Sequence, residues 1–380
     1  MLELIALLPW APFVVVAVWS TRRRPRLARS PVPPAGAAPM VSVIVPARNE
    51  AANIGACVRS LLATRYPSWE LIVVDDESDD GTGDILHALA AQGIENFRVI
   101  AGAPLPPGWY GKPWACWQGY EAARGELLLF TDADTRHEPA LLGHAVGAML
   151  AEEADMVSAI PHQRLVGFWE RVVMPHILLT IMLRYRDTTR LNRVTNPRDA
   201  IANGQFILVR REAYEAVDGH RGVRGEVVED LRLAQRLVEA GFRFFIGHAQ
   251  DLMTTRMYRS LAEVVRGWSK NVARGARLTV SPWLRPAIPW LIALWMLVFW
   301  VLPAATLAST LFDGATGPIF AWAALATATS MLGWTVFNLR MRVPMAYVLI
   351  YPLGAIVGAG IFIRSALRGE RVPWKGRRYH

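Results

Sequence analysis

Three apolar runs near the carboxyl terminus, residues 286–311, 316–338 and 343–363, constrain this chain more than any other feature. A helix needs roughly 20 apolar residues to cross the hydrocarbon core of a bilayer, and each run reaches that length. The links between them are short, Phe312-Asp313-Gly314 and Leu339-Arg340-Met341-Arg342. Residues 2–19, LELIALLPWAPFVVVAVW, form a fourth run, followed by Thr21-Arg22-Arg23-Arg24-Pro25-Arg26. A cleaved leader would carry its charge ahead of the run and a small-residue pattern after it. Here the charge follows, so a signal anchor with cytoplasmic arginines is expected. Three full crossings from a cytoplasmic domain would leave the basic tail RSALRGERVPWKGRRYH outside, against the positive-inside tendency. One run is therefore expected to be re-entrant; 343–363, interrupted by Pro352-Leu353-Gly354, is the candidate, and the side of the tail stays open.

The 380 residues are 53% hydrophobic and carry a formal net charge of +9, largely from arginines beside the apolar runs. That distribution suits anionic lipid headgroups and lacks the clustered element that enters a nucleic-acid groove. The only cysteines, Cys57 and Cys116, have neither CxxC nor metal-ligand spacing and read as reduced thiols of a cytoplasmic domain.

Ser30 to Pro39, SPVPPAGAAP, reads as a Pro/Ala linker, and a mixed-polarity domain begins at Met40. Short apolar runs then alternate with helical patterns: Val41–Val45 and a helix near 50–64, Glu70–Val74 and a helix near 82–92, Phe97–Ile100, a helix near 114–124, and Glu126–Phe130. This α/β alternation predicts a mostly parallel sheet covered on both faces. Ligands of such sheets bind beyond the carboxyl ends of the strands, and the acidic loops of this chain fall there. The expected division is an anchor at 1–21, a basic linker at 22–39, a catalytic domain at 40–256, an amphipathic interfacial helix at 257–284, membrane segments at 285–364 and a basic tail at 365–380.

Asp132-Ala133-Asp134 ends the buried strand LLLF. Two carboxylates one residue apart suit a hard divalent cation, and burying them uncompensated is costly. Asp75-Asp76-Glu77-Ser78 ends a second strand, where a carboxylate can meet a base or ribose; a turn with a helix N-cap explains the same residues. Glu229-Asp230 opens the helical pattern EDLRLAQRLVEA, and a carboxylate placed there can take the proton of an acceptor hydroxyl. Neighbouring helix positions diverge by about 100°, so one of the two, Asp230, is expected to face the acceptor. An acidic first turn that favours the helix dipole accounts equally for the pair.

The ordered set VSVIVPARNE, LIVVDDESDDGT, GKPWACWQG, LLLFTDADT, GQFILVRREAYEAVDG and EDLRLAQRL, covering about Met40 to Val280, resembles family 2 glycosyltransferases of the GT-A fold. The resemblance implies inverting transfer of a sugar from a nucleotide-sugar, with Mg²⁺ or Mn²⁺ on the diphosphate. It assigns Pro46, Ala47, Arg48, Glu50, Asp75 and Asp76 to the nucleoside pocket, Asp132 and Asp134 to the metal-diphosphate, Lys112 to the phosphates, and Asp230, beside Glu229, to general-base catalysis. Two positions depart from the pattern. Arg48 replaces the usual aromatic of the first motif, and Arg136 stands where some relatives have a third metal ligand.

Further along, Arg266-Gly267-Trp268 resembles imperfectly the Q/R-x-x-R-W element of processive and lipid-modifying relatives. Arg266 would stabilise the leaving diphosphate and Trp268 would stack on the sugar or cap the acceptor site; an amphipathic helix on the membrane explains the same residues. Phe168 to Tyr185, broken by Pro175, reads as an interfacial hairpin, with a core helix as the alternative. His162, His176 and His248 read as structural or interfacial rather than as metal ligands. The segments APLPPGWYGKPWACWQG, TTRMYRSLAEVVRGWSKN and VPWKGRRYH look most like carotenoid- and hopanoid-associated membrane glycosyltransferases. That subgroup implies a UDP-sugar donor such as UDP-glucose, a lipid acceptor, and a multi-pass protein of the cell (inner) membrane with its catalytic domain in the cytoplasm. The rival readings are a processive polysaccharide synthase and a non-catalytic sugar-nucleotide-binding protein.

Overall fold

The computed structural model describes Trp10, residues 25–185 and 191–368, and the backbone of two short strands at Val372–Trp374 and Arg377–Tyr379. The expected anchor lies outside the described residues except for Trp10. Its indole Nε1 donates to the Phe299 carbonyl at 3.3 Å.

The α/β domain is built on strands β1 (Val41–Ala47), β2 (Trp69–Asp75), β3 (Phe97–Ala101), β4 (Leu127–Phe130), β5 (Thr135–His137), β6 (Met156–Ile160), β7 (His162–Gln163), β8 (Ile207–Arg210), β9 (Phe244–His248) and β10 (Met253–Thr255). Between them run helices α1 (Ile54–Leu62), α2 (Thr82–Ala90), α3 (Gly111–Ala122), α4 (Leu141–Ala151), α5 (Phe168–Arg184), α6 (Arg211–Ala216) and α7 (Glu229–Glu239); α8 (Leu261–Leu278) follows β10. Seven strands form one sheet in the order β3-β2-β1-β4-β8-β6-β9. The β1–β2, β1–β4, β2–β3 and β6–β9 pairs are parallel, and β8 runs antiparallel to both neighbours. All four residues of β4 are buried, as near-continuous apolar strands in a doubly covered sheet should be. Because β1 lies between β2 and β4, the loops after these three strands converge at one edge. A small sheet, β5-β10-β7, flanks that edge.

The expected linker is instead a packed strap. Leu27 is fully buried in the core, the His248 N–H donates to Pro25 O at 2.7 Å, and residues 30–32 cross α4. Gly143 and Gly147, one helical turn apart, open the groove. A Cβ on Gly147 would lie 1.5 Å from Pro31 O.

Three described helices are long and apolar enough to cross a membrane: α9 (Ile288–Phe312), α10 (Pro318–Met341) and α11 (Met345–Arg368). The expected hairpin at 168–185 is one helix, α5, which runs through Pro175. Proline costs a helix one hydrogen bond, and here packing outweighs it. Val173 and Ile177 are buried with Met296 and Trp300 of α9 and Trp334 of α10. A Cβ on Gly354 would lie 2.2 Å from Val172 O, so α11 crosses α5 nearly backbone to backbone.

Pro352-Leu353-Gly354 does not interrupt α11. The helix starts as a 3-10 stretch, Met345–Ile350, and Pro352 falls in the first α-turn, where no N–H is required. Its two ends contact helices α5 and α8. The Tyr347 ring lies 5.8 Å from that of Phe168, and Ser365 Oγ accepts the N–H of Ala273 on α8 at 3.1 Å.

Candidate active site

Lys112 stands at the centre. The backbone N–H of Tyr110 donates to Arg224 O at 2.7 Å, which fixes the start of α3. From the first turn of α3 the Lys112 Nζ lies 2.7 Å from Asp132 Oδ1 and 2.9 Å from Glu229 Oε1. One ammonium thus joins the end of β4 to the start of α7. Burial disfavours its charge, yet Asp132, Glu229 and Asp230 outweigh burial and hold its pKa well above the usual lysine value.

The Asp132–Asp134 turn rests on a buried polar network. The Thr131 hydroxyl donates to Gln205 O at 2.7 Å, and the Thr135 hydroxyl donates to Asp132 O at 2.7 Å. His137 Nε2 lies 3.1 Å and 3.0 Å from those two hydroxyl oxygens. Burial, then Arg136, pushes the His137 pKa down to about 3, so the ring is neutral and serves as a prop.

Glu229 and Asp230 both line the cavity that opens beside Lys112, against the expectation that only one faces it. Their partners distinguish them. Burial raises the Glu229 pKa, but Lys112 outweighs it and leaves the carboxyl below its ordinary value. Asp230 is pushed up to about 6 by burial and by the Glu229 charge. Its Oδ2 accepts the Gly204 N–H at 2.9 Å and its Oδ1 the Leu231 N–H at 2.7 Å. A Cβ on Gly204 would sit 3.0 Å from both Asp230 Oδ2 and Lys112 Nζ, which explains the glycine. A carboxylate titrating near neutrality and not engaged by an ammonium is suited to accept a proton.

The loops after β1 and β2 are laced together. Arg48 donates to the carbonyls of Asp76 and, at 3.0 Å, Glu77. The Asn49 N–H reaches Ser78 Oγ at 3.0 Å, and the Glu50 N–H reaches Thr82 Oγ1 at 2.8 Å. Asn49 and Glu77 adopt positive φ of 52° and 54°, which the cross-links hold in place. Arg48 therefore braces the loop carbonyls. Ala47 O accepts the N–H of Asp76, which is buried, whereas Asp75 Oδ1 takes the Ser78 N–H at 3.3 Å as a turn former. Pro46 shares a small recess with Lys112, Asp132 and Asp230.

Arg266 does not join this assembly: it is exposed and lies outside the cavity lining. Trp268 does line the cavity, with its Nε1 donating to Met174 Sδ at 3.0 Å. Gly267 is there because the Tyr258 ring packs on it; a Cβ would lie 2.3 Å from that ring. The cation that α8 sends into the cavity is Lys270, one helical turn beyond Arg266. Its pKa is lowered by burial, with Glu229 opposing the fall. The motif-centred reading missed Lys270 and Gly204; helical spacing from Trp268 and the glycine of GQF are the signals that point to them.

Among the described residues no three His, Cys, Asp or Glu side chains form a closed metal site. Asp132 lines the cavity and Asp134, on the same turn, does not; their carboxylates are the hard oxygen donors suited to a divalent cation completed by substrate phosphates and water. The cavity, about 860 Å³, extends from Asp132, Glu229 and Asp230 past Trp268 to Ile292 of α9 and Phe362 of α11.

Residues 42–218 match the family model for glycosyl transferase family 2, and the chain carries a family 2 glycosyltransferase domain with a GT-A-like fold. A 4,4'-diaponeurosporenoate glycosyltransferase of Staphylococcus haemolyticus is 26% identical over 263 residues, 67% of this chain and 66% of that protein. The protein of the same name from Staphylococcus aureus (strain MRSA252) is 26% identical over 262 residues, 67% of this chain and 65% of its own. The match thus spans just under two thirds of these relatives. The mannosyltransferase PcManGT from Pyrobaculum calidifontis, solved with GDP-Man and Mn2+, is similar in fold, with a TM-score of 0.58 and 21% identity over 97% of this chain and 98% of that one.

Proposed function

We propose that the protein is an inverting glycosyltransferase that moves a hexose from a nucleoside-diphosphate sugar, of the UDP-hexose type, to a hydrophobic lipid of the carotenoid or hopanoid kind. One observation carries the reading: a single cavity has the Asp230 carboxylate in its wall at one end and apolar side chains of membrane-length helices at the other. The names of the diaponeurosporenoate glycosyltransferases support the acceptor class.

In this reading the acceptor hydroxyl attacks the anomeric carbon opposite the diphosphate and its proton passes to Asp230. The sugar–oxygen bond to phosphate breaks with its electron pair leaving on the diphosphate. Gly204 and Leu231 orient Asp230 through their N–H groups. Glu229 and Lys112 hold the wall, and Asp76 with the braced β1 and β2 loops receives the nucleoside. Mg²⁺ or Mn²⁺ on Asp132 and Asp134 would supply positive charge to the diphosphate. Helices α9 and α10 cross the cell membrane, α11 is re-entrant, and the catalytic domain lies in the cytoplasm.

Membranes containing the protein, supplied with labelled UDP-glucose, test this directly. A lipid bearing a single sugar is expected. Polymer would instead establish a processive synthase. Donor binding without transfer or hydrolysis would establish a binding protein, and Asp230→Asn is expected to bind donor while losing transfer.

A further inference from the structure

In the small sheet Thr254 lies opposite Arg136 on one side and His162 on the other, so the three side chains share a face. Arg164, two residues beyond His162, is exposed. Arg342, directly after α10, is exposed too. It stands close enough to His162 that Arg342 and Arg164, after burial, both depress the imidazole's pKa. Arg171 lies with its guanidinium 5.7 Å from the centre of the Tyr347 ring. Among the described residues, Arg164, Arg171 and Arg342 form no ion pair with a carboxylate; nearby, Glu170 is engaged by Arg256 at 2.9 Å. Asp134 lies near enough to Arg136 to favour its charge, and Glu263 accepts the Arg259 N–H.

Apolar side chains are exposed between these cations: Val166 at 44%, Phe168 at 48% and Met345 at 41%. Uncompensated arginines interleaved with exposed apolar groups, at the end of a membrane-length helix, have the composition of a headgroup boundary. A soluble nucleotide would use the charges and leave Val166, Phe168 and Met345 in water. The belt is continuous with the cavity, whose wall includes His162 and Arg340, each two residues from a belt arginine.

We propose that Arg164, Arg171 and Arg342, with Val166, Phe168 and Met345, form a binding surface for anionic phospholipid headgroups at the rim of the cavity. The surface holds the catalytic domain against the bilayer where a lipid acceptor would enter. The proposal rests on the membrane reading of α9 and α10 and is independent of which lipid is glycosylated.

The test uses the full-length protein in nanodiscs of phosphatidylcholine with and without phosphatidylglycerol. Native mass spectrometry reads the lipids retained on the protein. The wild type is expected to keep phosphatidylglycerol in preference to phosphatidylcholine. Combined substitution Arg164→Gln, Arg171→Gln and Arg342→Gln should weaken that preference on the order of tenfold or more, as should high salt. The single variant Arg342→Gln, at an exposed site, gives a smaller loss in the same direction and stands in if the triple variant misfolds. Equal retention of both lipids by the wild type overturns the proposal. So does a rise in donor KM with lipid retention unchanged, which would assign the arginines to the nucleotide-sugar.

Discussion

Lys112 Nζ lies 2.7 Å from Asp132 Oδ1, so the aspartate pair that ends β4 is already neutralised in part by a lysine from α3. The same ammonium holds Glu229, and it lowers the cost of ionising three carboxylates in one wall.

Lys112→Met should therefore do more than weaken donor binding. With the cation gone, the pKa of Asp230 rises above about 6, and the acidic limb of kcat/KM moves toward higher pH. A pH–rate profile of the two proteins checks this; an unmoved limb would show that Lys112 does not act on Asp230.

Asp230→Asn is expected to lower kcat by about 10²–10⁴-fold, the usual weight of a general base. In the wild type kcat/KM should fall below a midpoint near pH 6, because only the ionised carboxylate accepts a proton. The sign for stability is opposite. A folded-state pKa raised above the unfolded one means that ionisation disfavours the fold, so stability is lost as pH rises from about 4 through about 6. Asp230→Asn should melt no lower than wild type at pH 8, as differential scanning fluorimetry will read.

Lys270→Met should reduce transfer severalfold or more, whereas Arg266→Gln should stay within about twofold of wild type, since exposed substitutions away from a site perturb little. Kinetics of the two variants side by side would reverse this assignment if Arg266 proved the more sensitive.

Gly147→Ala forces a methyl group into Pro31 O and should lift the strap off α4 at a cost of about 1–3 kcal/mol. Thermal unfolding measures it; an unchanged melting temperature would mean that the strap is dispensable.

The proposed re-entrant placement of α11 puts both of its ends, which contact α5 and α8, on the catalytic-domain side. A cysteine at Leu367, which is 71% exposed, should react with an impermeant maleimide from the catalytic-domain side. One at Phe312, 92% exposed between α9 and α10, should react from the opposite side. Labelling of both from the same side would refute the arrangement.

The strands and their acidic ends were legible because local period and burial cost act within a few residues: LLLF followed by Asp132 can be read without tertiary knowledge. The pairing of Lys112 with Glu229 was not, since 117 positions separate them and nothing local distinguishes this lysine. Arg266 and Lys270 are one turn apart, and only packing against Tyr258 and α5 decides which enters the cavity. SPVPPAGAAP looks unable to pack because its partner is a groove made by two absent side chains, Gly143 and Gly147. Pro175 and Pro352 mark breaks that helix packing and a first-turn position respectively make harmless.

The strap has a mechanical consequence. Trp10 rests on Phe299 of α9, while Pro25 is fixed to the end of β9 through His248. The strap thus clamps the β9 edge of the sheet to α4 from outside, and freeing it would loosen that edge while leaving every residue around Lys112 in place.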